Sequence, residues 1–301
     1  MHTMNKGHRA FILAFLYVLF SFSQSVQAEM PFIVVEAQSG TVIKQSDADA
    51  PWYPASLTKM MTLYLTFQNL KAQRLSLQTP LMVSVRAQQQ PPMKLGVLRG
   101  DEITVKKAIK ALATVSSNDV AVVLAEAIGG TEEKFATQMS AQAHKMGMKD
   151  SVFKNATGLP NAEQVSSARD LAILARRLLL DFPEYYHFFS SRTVQYGGES
   201  FVSHNRFLNA YSGADGLKTG YTCGSGYNVV ASAHKNQKRL IVVLLGAQSS
   251  QQRSHKVQEL MDEGFKANPD APGLTLLALR GSVSVHLQAP AVLKGAHCQS
   301  L

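Results

Sequence analysis

The stretch from Tyr227 to Gln248 constrains the fold most. It consists of YNVVASAH and RLIVVLLGAQ joined by the polar residues KNQK. Two strand-like runs around so short a polar link predict a β-hairpin. The second run is continuously apolar from Leu240 to Leu245 instead of alternating, so both its faces need cover and the hairpin belongs in the middle of a sheet. The other end of the chain supplies a second hairpin, PFIVVEA and TVIKQS around the turn QSG. Strands therefore come first and last.

Between them the apolar spacing is helical. Leu57, Met60, Met61, Tyr64, Leu65 and Phe67 keep that spacing from Ser56 to about Gln68. GDEITVKKAIKALATVSSNDVAVVLAEAIGG predicts two apolar helices, broken at Ser116-Ser117-Asn118-Asp119 and stopped by Gly129-Gly130. Thr131 caps a further helix to about Met146, and Ser167 to Asp170 have the spacing of a capping box that opens LAILARRLLLDF. After Pro183 come β-like pieces, RTVQY and GLKTG, and after the central hairpin SQQRSHKVQELMDEGFKA is helical again. This order predicts an α+β domain, an antiparallel sheet flanked by helices with an all-helical segment inserted between its parts.

Both ends stand apart. Lys6 and Arg9 precede the 13-residue uncharged run Ala10 to Phe22, followed by SFSQSVQA with small residues at Val26 and Ala28. That is the form of a cleaved export leader, 1–28, with Glu29 as the mature start; the run is short for a membrane span. The tail 269–301 is interrupted by Pro272, Gly281, Pro290 and Gly295, too short for a second domain and without an amphipathic stripe. It is expected to be poorly ordered, leaving one domain at 29–268. The formal charge of +9 becomes +7 once Lys6 and Arg9 are removed. The basic residues are scattered and do not alternate with aromatics, which argues against nucleic acid and toward anionic wall polymer or peripheral contact with lipid head groups. Cys223 and Cys298 fit no metal pattern.

Three short motifs carry chemistry. Ser56 and Lys59 head the first apolar helix, so the amine lies one turn beneath the hydroxyl. A lysine removes a serine proton only if burial and nearby positive charge lower its pKa. Ser151–Lys154 and Ser232–Lys235 repeat the spacing, but the first is followed by Gly158 and Pro160 and the second lies in a strand, where i and i+3 face opposite sides. Ser116 and Asn118 stand two apart on a loop between helices, a position that helix capping alone also explains; Ser203-His204-Asn205 has the same spacing. Lys218-Thr219-Gly220 lies on a strand, where Gly220 lets a ligand approach the backbone and Lys218 with Thr219 meets a carboxylate. The histidines form no metal-ligating set, and no metal or cofactor is expected.

In this order, Ser-x-x-Lys, Ser-x-Asn and Lys-Thr-Gly are the signature of the serine penicillin-recognising enzymes. YPASLTKMMT, PPMKLGVLRGDEITVKKAIKALATVSSNDVAVVLAE and GADGLKTGYTCGSGYNVVASA closely resemble low-molecular-weight penicillin-binding proteins that act as D-alanyl-D-alanine carboxypeptidases. The resemblance runs from about Glu29 to Lys266 and implies the β-lactamase/DD-peptidase-like fold and a periplasmic location. It further implies that Ser56 attacks the penultimate D-alanine carbonyl of a peptidoglycan stem peptide, Lys59 acts as base, and Ser116 relays a proton to the leaving amine. Asn118 binds the substrate amide and fixes Lys59, Lys218 depresses the pKa of Lys59, and Thr219 holds the terminal carboxylate. The N–H groups of Ser56 and Tyr221 form the oxyanion hole, Arg253 lies near the carboxylate, and β-lactams are covalent inhibitors. A D,D-endopeptidase would use the same site. A class A β-lactamase would need Glu-x-x-Leu-Asn, whereas here Glu163 is followed by QVSS. A non-catalytic wall-binding protein is disfavoured by the intact motifs.

Overall fold

The computed structural model describes residues 30–267 and 274–279. The first hairpin is β1 (Phe32–Glu36) and β2 (Val42–Ser46). A 3-10 turn, Ala55–Thr58, leads into helix α1 (Lys59–Lys71). Next come β3 (Pro80–Met82), the one-turn α2 (Val85–Gln88) and β4 (Glu102–Thr104). Three helices follow, α3 (Val105–Val115), α4 (Asn118–Gly129) and α5 (Glu132–Lys145). A loop crosses to α6 (Ala168–Asp181) and the one-turn α7 (Pro183–Tyr186). The hairpin β5 (Thr193–Tyr196) and β6 (Glu199–Val202) precedes the one-turn α8 (Phe207–Ala210). The chain then returns to the sheet with β7 (Ala214–Thr222), β8 (Gly226–Lys235) and β9 (Lys238–Ala247), followed by α9 (Ser250–Lys266).

The five-stranded antiparallel sheet has the order β2-β1-β9-β8-β7. The β8–β9 hairpin therefore lies inside the sheet, and the continuous apolar run of β9 is divided between two cores. Leu240, Val242 and Leu244 pack with Val257, Leu260 and Met261 of α9; Ile241, Val243 and Leu245 pack with α1 and α6. Period-two alternation is present, but both halves are apolar because helices cover both faces. The helices α2 to α5 are inserted between β2 and β7 as expected of an α+β chain.

Three details go beyond what the sequence reading anticipated. RTVQY does not join the main sheet; it pairs as β5 with β6 in a separate ribbon, turned by Gly197 and Gly198 at φ +58 and +83, the left-handed pair a tight hairpin needs. β3 and β4 form a second ribbon with Pro80 opposite Thr104. In the segment expected to be poorly ordered, residues 274–279 are tied to the first hairpin through Leu276: Thr275 bridges Thr41, the Leu276 N–H donates to Gly40 O, and the Leu276 side chain is 2% exposed while its neighbours stay largely exposed. The rest of that tail, and the leader 1–28, lie outside the described residues.

α1 is apolar on nearly every face. Ten of its thirteen residues are buried, Lys59 among them. A helix covered all round can only run through the core, which is why the amine of Lys59 ends up without solvent.

Candidate active site

Ser56 is the second residue of the 3-10 turn, half a step before α1 and not inside it. Two glycines hold this turn from opposite sides. Gly158, at φ +82, lies where a Cβ would sit 1.9 Å from Ala55 O; at Gly220 on β7 a Cβ would sit 3.1 Å from Ser56 N. Each lets another backbone pass directly against the peptide of the serine. β7 is the open edge of the sheet, so on its free side alternate residues leave backbone groups to which an extended peptide can add as a strand.

The Lys59 amine lies 3.1 Å from Ser56 Oγ, 2.7 Å from Asn118 Oδ1 and 2.5 Å from Thr157 O. It is fully buried. Burial first, and the charge of Lys218 second, hold its pKa well below the usual lysine value against the opposing pull of Asp119 and Glu132. A neutral amine has two N–H donors and one lone pair. The carboxamide and carbonyl oxygens take the two donors, which leaves the lone pair for the hydroxyl of Ser56.

Ser116 follows the last residue of α3 in a left-handed conformation, φ 62 and ψ 34. It is 5% exposed, and its hydroxyl has no hydrogen-bond partner among the described residues. A left-handed serine costs about 1–3 kcal/mol and an unpaired buried hydroxyl about 1–3 kcal/mol more; such strain marks sites kept for function. The Asn118 side chain has partners within the protein at both ends: its Nδ2 donates to Pro91 O and Pro92 O while its Oδ1 accepts from Lys59.

Lys218 is 2% exposed and donates to Thr219 O at 2.8 Å. Burial, then the charge of Arg253, lowers its pKa to about 7. Arg253 is also buried, its guanidinium 5.8 Å from the Tyr227 ring and its Nη1 within 3.5 Å of Asn228 O. Neither cation has a carboxylate within ion-pairing distance among the described residues. Half-buried His204 senses the same field: burial, then Lys218, lowers its pKa. Its N–H donates to Thr114 O, which ties the 203–206 loop to the end of α3 next to Ser116. Tyr221 is exposed and packs against Tyr227 with the rings tilted by 32° and their centroids 4.3 Å apart. Cys223, two residues further on, has no free thiol; Cys298 lies outside the described residues.

The supporting residues were missed in the sequence. Buried Asp119 accepts the N–H groups of Leu95, Gly96 and Val97 and so holds the PPMKLGV loop against Asn118. Glu132 accepts Ala156 N and pairs with Arg86, and Asn155 accepts the N–H groups of Thr157 and Gly158; together they place the Thr157 carbonyl on Lys59. Asn228 donates to Tyr53 O and accepts Gly246 N, tying the approach to Ser56 to the sheet. Of these, only a buried-strand asparagine, Asn228 in GYNVVASA, carried a sequence signal. The lookalike pairs are elsewhere: Ser151 bonds Asp170 and Ser166, and Ser232 bonds Asp215 and Tyr186.

Residues 21–249 match the family model described as D-alanyl-D-alanine carboxypeptidase, Peptidase_S11. D-alanyl-D-alanine carboxypeptidase DacC of Escherichia coli is 32% identical over 90% of this chain and 72% of its own length. DacF of Bacillus subtilis is 34% identical over 77% of this chain, which spans 61% of that relative. Among solved structures, penicillin binding protein 6B from Escherichia coli aligns with a TM-score of 0.75 at 31% identity, covering 78% of this chain and 77% of that one. Penicillin-Binding Protein D2 from Listeria monocytogenes, solved in an ampicillin-bound form, aligns with a TM-score of 0.72 at 30% identity, covering 78% of this chain and 96% of that one.

Proposed function

The chain belongs to the D-alanyl-D-alanine carboxypeptidase family, and from that membership we propose that it is an exported serine peptidase that removes the terminal D-alanine from peptidoglycan stem pentapeptides. Neutral Lys59 takes the Ser56 proton as Oγ attacks the penultimate carbonyl. The tetrahedral oxyanion forms at the N–H groups of Ser56 and Tyr221. Collapse breaks the peptide bond, the proton passes through Ser116 to the leaving amine, and free D-alanine departs. Water then adds to the Ser56 ester, giving the shortened peptide and free enzyme. A penicillin would follow the same first step and remain on Ser56.

The observation that carries this reading is the unpaired charge at the cleft. Buried Lys218 and Arg253 have no acidic partner among the described residues, yet burying a cation without one is costly. A substrate that brings its own carboxylate to that spot, beside the hydroxyl of Thr219, supplies the missing anion. Glu163 argues against the β-lactamase alternative: its carboxylate is exposed and paired with Lys154 at 2.9 Å, so it is not held ready to activate a deacylating water. For cellular location, the leader ending near Ala28 supports export to the periplasm. Among the described residues no helix is long and apolar enough to cross a membrane.

The test is a pentapeptide ending in two D-alanines. The purified chain should release one equivalent of D-alanine per peptide and Ser56→Ala none; no release from the unaltered chain, or release that survives Ser56→Ala, sinks the reading.

A further inference from the structure

The polarity of a substrate along β7 follows from the site. The anion-binding pair Lys218 and Thr219 comes first on the strand and the oxyanion N–H of Tyr221 two to three residues later, about 7–10 Å on at 3.3 Å per residue. The acyl half of the substrate therefore continues past Tyr221, toward Thr222 and Gly224. A pocket of about 240 Å³ opens there. Its walls are Tyr53 and Pro54 before the nucleophile, Leu159, Pro160 and Ala162 of the loop behind it, and Thr222 and Gly224 at the end of the strand. By comparison, an apolar cavity of roughly 150 Å³ is enough to take benzene.

Two features set what the pocket accepts. No Asp, Glu, Lys, Arg or His is among its lining residues. The oxygens of its two carboxamides are already engaged, Gln164 Oε1 by Lys154 N and Asn155 N and Asn161 Oδ1 by Glu163 N, which leaves the exposed Asn161 to offer only a neutral donor. A charged group entering it would give up water and find no counter-charge, whereas an aliphatic or aromatic group would bury apolar surface on both sides.

We infer that this pocket is a selectivity site for an uncharged, apolar side chain on the acyl donor, lying between the segment before Ser56, the 158–162 loop and the end of β7. The inference rests on the carboxypeptidase reading. It makes this chain discriminate by charge at the donor residue next to the D-alanine pair. An aliphatic side chain, or a diamino side chain whose terminal amine is acylated, is preferred over one with a free ammonium or a carboxylate.

The test uses two penicillins with the same nucleus, one with a benzyl side chain and one with that side chain carrying a carboxylate, and reads the second-order rate of acylation of the full chain. The benzyl compound should react on the order of ten-fold faster or more, the size of effect a pocket of this kind gives. Ala162→Lys, at the exposed rim, should narrow or reverse the ratio and Ala162→Glu should widen it. Peptides ending in D-alanyl-D-alanine with norleucine, lysine or glutamate before that pair should rank in kcat/KM with norleucine first. Equal rates for the two penicillins, or a ratio that ignores charge at position 162, overturn the inference and leave the carboxypeptidase reading intact. Failure of both penicillins and all peptides to react overturns both.

Discussion

Gly158→Ala asks whether the loop behind Ser56 fixes the oxyanion site. A Cβ at this position would lie 1.9 Å from Ala55 O, 2.3 Å from Ala55 C and 2.9 Å from Ser56 N. Ordinary contact begins near 3.4 Å, so loop and nucleophile turn must separate by about 1.5 Å in total. A misplacement of about 1 Å at a reacting group costs on the order of 100-fold, and losing an oxyanion donor costs roughly 100- to 1,000-fold. Acylation by penicillin should therefore fall on the order of 100-fold or more. Backbone strain has to be separated from this, since a left-handed residue with a Cβ costs about 1–2 kcal/mol wherever it sits. Gly198 is the control: its φ is +83 against +82 at Gly158, and nothing lies within 4 Å of its Cβ position. Gly198→Ala should lose melting temperature and keep its acylation rate. Gly158→Ala should lose at least as much stability and the rate as well. Stopped-flow acylation and thermal melts on both variants decide it. If Gly158→Ala, folded, acylates as fast as Gly198→Ala, the claim that this close approach positions Ser56 is wrong.

Lys218→Gln should move the acid limb of the kcat/KM profile to higher pH. The charge of Lys218 is the largest depressing cause after burial for Lys59, and the neutral form of Lys59 is the one that reacts; an unshifted limb would remove Lys218 from that role. The same residue makes stability depend on pH. Its pKa is about 7 when folded and near 10.5 when unfolded, so between those values the unfolded chain holds a proton that the native one lacks. The urea midpoint of the unaltered chain should rise from pH 7 toward 10 relative to Lys218→Gln; parallel curves would contradict this. Asp119→Asn replaces an acceptor of three loop N–H groups with one that also presents a donor. It should cost about 2–3 kcal/mol and slow acylation through Asn118, read by denaturant unfolding and penicillin kinetics; unchanged values would mean the PPMKLGV loop needs no such anchor.

The sequence was most readable where local pattern and final packing agree. The β8–β9 hairpin, the three capped or glycine-stopped helices and the apolar α1 follow from periodicity and capping, because α9 and the helical body cover the very faces that those patterns left apolar. The separation of Ser56–Lys59 from its lookalikes was also legible, since neither Ser151 nor Ser232 heads a buried helix. What escaped was set by contacts distant in the chain. β3 and β4 pair across about twenty residues, and the anchors Asp119, Glu132 and Asn155 act on backbone groups of loops whose path no local pattern fixes. The β5–β6 ribbon is a different miss: Gly197-Gly198 is a strong hairpin-turn signal, and it was there to be read. Asn118 shows what a motif leaves out: its Nδ2 meets two proline carbonyls that only the folded loop brings to it.

Proteolytic mapping of the chain after exposure to benzylpenicillin tests the whole arrangement in one spectrum. The peptide that contains Ser56 should gain the mass of one intact drug molecule, in full and at no other position, and Lys59→Met should abolish the gain while leaving the fold in place. An adduct on a different residue, or none on a folded chain, would mean that the buried amine does not activate the hydroxyl beside it.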